Sequence, residues 1–191
     1  MTSVASAIAA ESVSAGSPPV VQTNPHETAM IMKKIADFSL DHVTLKYAKD
    51  FDVPIETAKE HEKELKRYFQ LAAINPQNDY GMTGPVDDIW HTFILHTKDY
   101  AAFCQDCVGR FLHHYPDRYY EGDVKGDNVE TNDTLEWYGM FLRDYSIVFG
   151  ETPPKHIWPN LEEFTLTTGP TCRVCGTDPS DDPGGPDISY P

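Results

Sequence analysis

The chain has 191 residues, enough for one domain with tails, and its 40% apolar and 12% aromatic content can bury a sizeable core. Its formal net charge of -15 and isoelectric point near 4.7 argue against binding to nucleic acid or anionic lipid, which need basic patches, and leave basic or metallic partners open. No apolar run reaches the roughly 20 residues of a membrane span, and the Ala/Ser-rich start lacks the basic and apolar regions of a secretory signal, so the expected compartment is the cytosol.

Residues 1–27 show no useful period and read as a disordered arm. From Thr28 onward, Ile31, Ile35 and Phe38 fall at helical spacing, Ser39 can cap a second start, and Leu40, Val43 and Tyr47 continue the pattern until Asp52 to Pro54 breaks it. Thr57 and Glu60 form a capping-box pattern ahead of a stripe of Ala58, His61, Leu65, Tyr68, Phe69 and Ala72, which stops at Asn75-Pro76. His61 lies in that stripe, so it either joins other histidines or sits at the core edge with a hydrogen-bond partner. Asn78 to Gly84 reads as a loop.

The stretch from Pro85 to Pro116 holds half of the eight histidines, His91, His96, His113 and His114, together with Asp87, Asp88, Cys104 and Cys107. Pro85 suits a first helical position, and Asp87 and Asp88 then occupy a first turn where carboxylates favour the helix dipole. A single helix to Gly109 places Ile89, Trp90, Phe93, Tyr100, Ala101, Phe103, Cys104, Cys107 and Val108 on one apolar face. His91 falls on the opposite side, within reach of Asp87 or Asp88. A reversal at Gly109 can fold His113 and His114 back toward it.

Asp117 to Asn132 reads as an acidic surface loop whose Asp123, Asp127, Asn128 and Glu130 do not match a calcium-loop spacing. Asp133 and Glu136 suggest another capping box, before a helix with Trp137, Tyr138, Phe141, Leu142, Tyr145, Val148 and Phe149 on its apolar face and Gly150 at its end. Prolines 153, 154 and 159 hold Lys155 to Trp158 in an extended segment, and Asn160 to Phe164 adds a short turn. Residues 165–191 read as a flexible Pro/Gly/Asp tail around Cys172-x-x-Cys175. No segment alternates over strand length. The expectation is therefore an all-α bundle of about five helices over 28–164, flanked by disordered tails.

The series Val86-Asp87, Trp90-His91, Ile94-Leu95, Phe103-Cys104, Gly109, Phe111 to Pro116, Tyr145, Phe149-Gly150, Pro153-Pro154 and Trp158-Pro159 resembles bacterial proteins labelled glycine-rich domain-containing protein-like. The likeness spans about Lys63 to Pro159. It implies a small helical fold, and a second His where this chain has Phe93. That departure weakens a His-x-His ligand pair, and the Cys172 to Gly176 stretch would be a reduced form of a Gly/Cys-rich tail.

Two functional readings stand side by side. In the first, His91, His113 or His114, with Asp87 or Asp88 and His61, bind Zn²⁺ or Fe²⁺ with an open position for water, oxygen or a small molecule. In the second, His91 pairs with Asp87 at the surface, and the chain is a metal-free acidic scaffold for a basic protein or peptide. Cys104 and Cys107, on the core face of a helix, are poorly placed for a zinc knuckle. Cys104 also makes a poor nucleophile with His113 or His114, because an apolar setting raises a thiol's pKa. Phosphate loops, serine elbows and dinucleotide fingerprints are absent, so the sequence does not decide whether the chain is an enzyme.

Overall fold

A computed structural model of the protein describes residues 24–116, 129–166 and 172–174. The expectations for the N-terminal arm, for residues 117–128 of the acidic loop and for most of the C-terminal tail lie outside these residues.

Asn24 caps α1 (Pro25–Asp37), its side chain accepting from the His26 amide at 3.0 Å, just ahead of the start that periodicity suggests. The chain breaks at Phe38 and resumes in α2 (Asp41–Asp50). α3 (Ile55–Ile74) starts directly after Pro54, so Thr57 lies inside the first turn rather than at a cap. Its six stripe residues, Ala58, His61, Leu65, Tyr68, Phe69 and Ala72, are all buried, as the 3.6-residue period requires.

The helix expected to run from Pro85 to Gly109 is divided. α4 (Pro85–Leu95) ends at His96, whose backbone leaves the helical region (φ -86, ψ 61) and whose Nδ1 lies 2.9 Å from the Thr92 carbonyl oxygen. α5 (Thr97–Phe103) then sets off in a new direction, which leaves Ala101 exposed and brings Tyr100 and Phe103 onto Phe93 at ring separations of 5.1 and 5.4 Å. A straight helix could not place both rings there. A π-helical turn, Cys104–Val108, follows and ends at Gly109, where φ of 84° demands the left-handed conformation.

α6 (Val129–Phe149) starts ahead of Asp133, so that residue is internal rather than a cap. Lys155 to Trp158 is a turn rather than extended, with the Trp158 amide donating to the Pro154 carbonyl at 2.8 Å and Ile157 and Trp158 buried. Asn160 and Glu163 exchange side-chain to backbone hydrogen bonds (2.9 and 3.2 Å) at the start of α7 (Leu161–Leu166), a capping box. The core is aromatic: Phe69 packs against Trp90 at 5.3 Å and Phe103 at 5.0 Å, and Phe141 against Trp158 at 4.4 Å.

The all-α bundle is thus present, with seven α-helices among the described residues. It also carries strands that the sequence did not signal. β1 (Tyr80–Met82), β2 (His114–Pro116) and β3 (Cys172–Val174) form a small sheet in the order β1-β3-β2. β3 is antiparallel to both neighbours, with Tyr80 and His114 each opposite Val174. Strands of three residues are too short to show alternation, and their pairing depends on partners far away in the chain. No described helix is long and apolar enough to cross a membrane.

Candidate metal centre

Gly84 starts α4 at φ 71°, and its carbonyl accepts from the amides of Asp87 and Asp88 at 3.0 and 3.3 Å. This turn fixes the helix so that Val86, Ile89, Trp90 and Phe93 enter the core, while Asp87 lies nearly buried at the boundary and His91, one turn on, is half-exposed. Beyond the Gly109 turn, Tyr100 donates its hydroxyl hydrogen to the Leu112 carbonyl and receives the Trp90 indole N–H at 3.2 Å. The returning strand is therefore tied to α4 and α5 two residues before His114.

His114 completes the group. Its Nε2 is 2.9 Å from Asp87 Oδ1, and because an ionised carboxylate can only accept, Nε2 carries the hydrogen. The ring packs edge-on against Trp90 (4.5 Å) and lies 4.3 Å from the His91 ring. His91 Nδ1 is 3.6 Å from Asp87 Oδ2, too far for a hydrogen bond. It is close to the ~3.4 Å that separates two ligands of a tetrahedral ion held at about 2.1 Å. One ligand atom from each of Asp87, His91 and His114 lies within 4.8 Å of the others, the one such group among the described residues. Two imidazoles and one carboxylate are thus gathered at one spot, half-exposed to solvent on the His91 side.

His113 and His61 lie outside this group. Neighbouring residues of an extended chain face opposite ways, so His113 turns from His114 and packs at a tilt against Phe111, 5.0 Å between ring centres. His61 is buried in α3 with Nδ1 3.0 Å from the Tyr47 hydroxyl. Burial lowers its pKa, with opposing contributions from Glu60 and His156. Burial also pushes Tyr47 up to about 12, aided by the charge of Asp88. Asp88 is half-buried, and its carboxyl is raised first by that burial and then by Asp87, against the pull of His91. Cys104 and Cys107 are free thiols in the core, both raised by burial.

A sequence model of one protein family matches residues 30–134, more than half of the chain and all three residues of this group. The chain belongs to the UCP032817-like family. Membership in the UCP032817-like family corrects the likeness to glycine-rich domain-containing proteins: the motifs from Val86 to Pro116 that suggested it lie within the matched span. No curated protein and no solved structure matches the chain.

Proposed function

We propose that this protein binds a divalent transition-metal ion, zinc or ferrous iron, through Asp87, His91 and His114, with a position left for water or a small molecule. The observation that carries this reading is the approach of three ligand atoms to within 4.8 Å of one another, drawn from α4 and from a strand 27 residues further along. Two imidazoles and a carboxylate suit both ions. The half-exposed His91 gives access from solvent, and the nearly dry Asp87 and His114 provide the rigid side of the site. A metal held this way would supply activation of bound water or oxygen.

The test is elemental analysis of protein purified without a histidine tag, as parent, His91→Ala, His114→Ala and Asp87→Asn, with a melting curve for each. Stoichiometric zinc or iron in the parent, lost in all three variants, is the expected result. It would lead to hydrolysis and oxygen-consumption assays on the loaded protein. A parent that takes up neither Zn²⁺ nor Fe²⁺ would overturn the reading, leave the three side chains as a structural cluster, and turn the search to basic protein partners for the acidic surface.

A further inference from the structure

We propose that β3 is a strap, seated in a slot between β1 and β2, whose insertion sets the position of His114; resting on the metal reading above, this makes metal affinity and strap insertion reciprocally coupled. β1 and β2 do not pair with each other, because the sheet order is β1-β3-β2. The ladder connection between them runs through Cys172–Val174, with Tyr80, Val174 and His114 in one row and Gly81, Arg173 and Tyr115 in the next.

The two walls of the slot differ in how firmly they are held. β1 is anchored to the bundle: Tyr68 donates its hydroxyl to the Tyr80 carbonyl at 2.6 Å, and the Tyr80 hydroxyl donates to Asp144 at 2.7 Å. β2 is tied at its upstream side, where the Leu112 carbonyl accepts from Tyr100. At His114 the backbone itself is paired with β3. The strap therefore transmits the rigidity of Tyr80 to the one metal ligand that does not belong to α4.

Among the described residues, β3 packs chiefly against these two strands and offers three paired residues. A strand so short is held by few ladder bonds and opens at low cost. Withdrawing it leaves His114 its bond to Asp87 but removes the backbone support that aims it. By linkage, a metal that favours the aimed His114 favours the seated strap to the same extent.

The experiment compares the parent with Arg173→Pro, which removes a backbone donor from the middle of a central strand, and with Arg173→Ala, which keeps it. Zinc titration against a chromophoric chelator should show affinity weakened roughly tenfold or more in Arg173→Pro, the range seen when a supporting contact of a ligand is lost. Arg173→Ala should bind as the parent does. Equal affinity in parent and Arg173→Pro overturns the strap and leaves the metal site standing.

If the parent binds no zinc, the metal reading fails, and the strap is judged by the His114 imidazole resonances of metal-free protein. A shift in Arg173→Pro supports the strap, and unchanged resonances overturn it. Should Arg173→Pro not fold, the parent alone suffices: zinc should slow amide exchange at residues 172–174, and exchange indifferent to bound zinc overturns the coupling.

Discussion

His114 Nε2 donates to Asp87 Oδ1 across 2.9 Å, joining two side chains that are only 6% and 8% exposed, whereas His91, the third member of the group, is 47% exposed. The three residues therefore contribute unequally to the fold. In metal-free buffer with a chelator, His114→Ala should cost about 1–3 kcal/mol, since it removes a nearly dry hydrogen bond to a charged group. His91→Ala should stay within about 0.5 kcal/mol, as surface changes do. Urea denaturation measures both. Matching losses of stability would contradict the packing described for His114.

Metal uptake should also appear as stability. A ligand that binds the folded state alone at a free concentration of 100 times its Kd stabilises by about 2.7 kcal/mol. Zinc should raise the melting temperature of the parent accordingly, and should not raise that of Asp87→Asn. Because protons compete with the ion for imidazole and carboxylate ligands, binding should weaken as pH falls and release protons where those ligands are protonated. Calorimetry in buffers of different ionisation enthalpy counts those protons. A thermal shift that survives Asp87→Asn would place the ion elsewhere.

His61 gives the fold an acid limb of its own. Burial lowers its pKa below the usual 6.5. Below pH 6.5 the unfolded chain therefore binds a proton that the folded chain refuses, and stability falls as pH drops from 6.5 toward the lowered folded value. Above 6.5 both states are neutral and the contribution is constant. His61→Gln should flatten the stability curve below pH 6.5, measured by urea unfolding at several pH values in the presence of chelator. An unchanged slope would mean that His61 titrates alike in both states.

The helices are legible where one face meets the core: every stripe residue of α3 is buried, and a spacing of one turn brings Asp87 and His91 to 3.6 Å of each other. What the sequence could not specify is geometry fixed by distant contacts. His113 and His114 are chemically identical neighbours, and only the phase of β2, set by pairing with residues 172–174, selects His114 for the site. The break at His96 was hidden for the same reason, because Thr97 to Phe103 has helical spacing with or without a break and only packing on Phe93 reveals its new direction. Capping-box patterns at Thr57 and Asp133 were misleading: each helix starts earlier, after Pro54 in α3 and at Val129 in α6. Local signals mark where a helix can start, and tertiary burial extends it.

Glu64, a charged residue of α3, is only 2% exposed. Its carboxylate accepts from the Trp158 indole at 2.8 Å and the Tyr145 hydroxyl at 3.0 Å, and Arg67 lies 3.5 Å away. Burial pushes Tyr145 up to about 12, so it remains a donor throughout the neutral range. Arg67 also bonds Tyr145 and Glu151, and it lies over the Tyr145 and Phe149 rings, so one carboxylate joins α3, α6 and the Pro154 to Trp158 turn. Glu64→Ala should destabilise by about 3–5 kcal/mol, the range for removing one partner of a buried charged network. Glu64→Gln should lose less, because its amide oxygen still accepts from Trp158. Since Glu64 is not one of the three proposed ligands, the folded fraction of either variant should retain the parent's zinc stoichiometry. Urea unfolding followed by tryptophan fluorescence reads the first effect and elemental analysis the second. A loss of metal from folded Glu64→Gln would show that this network supports the site as well as the fold.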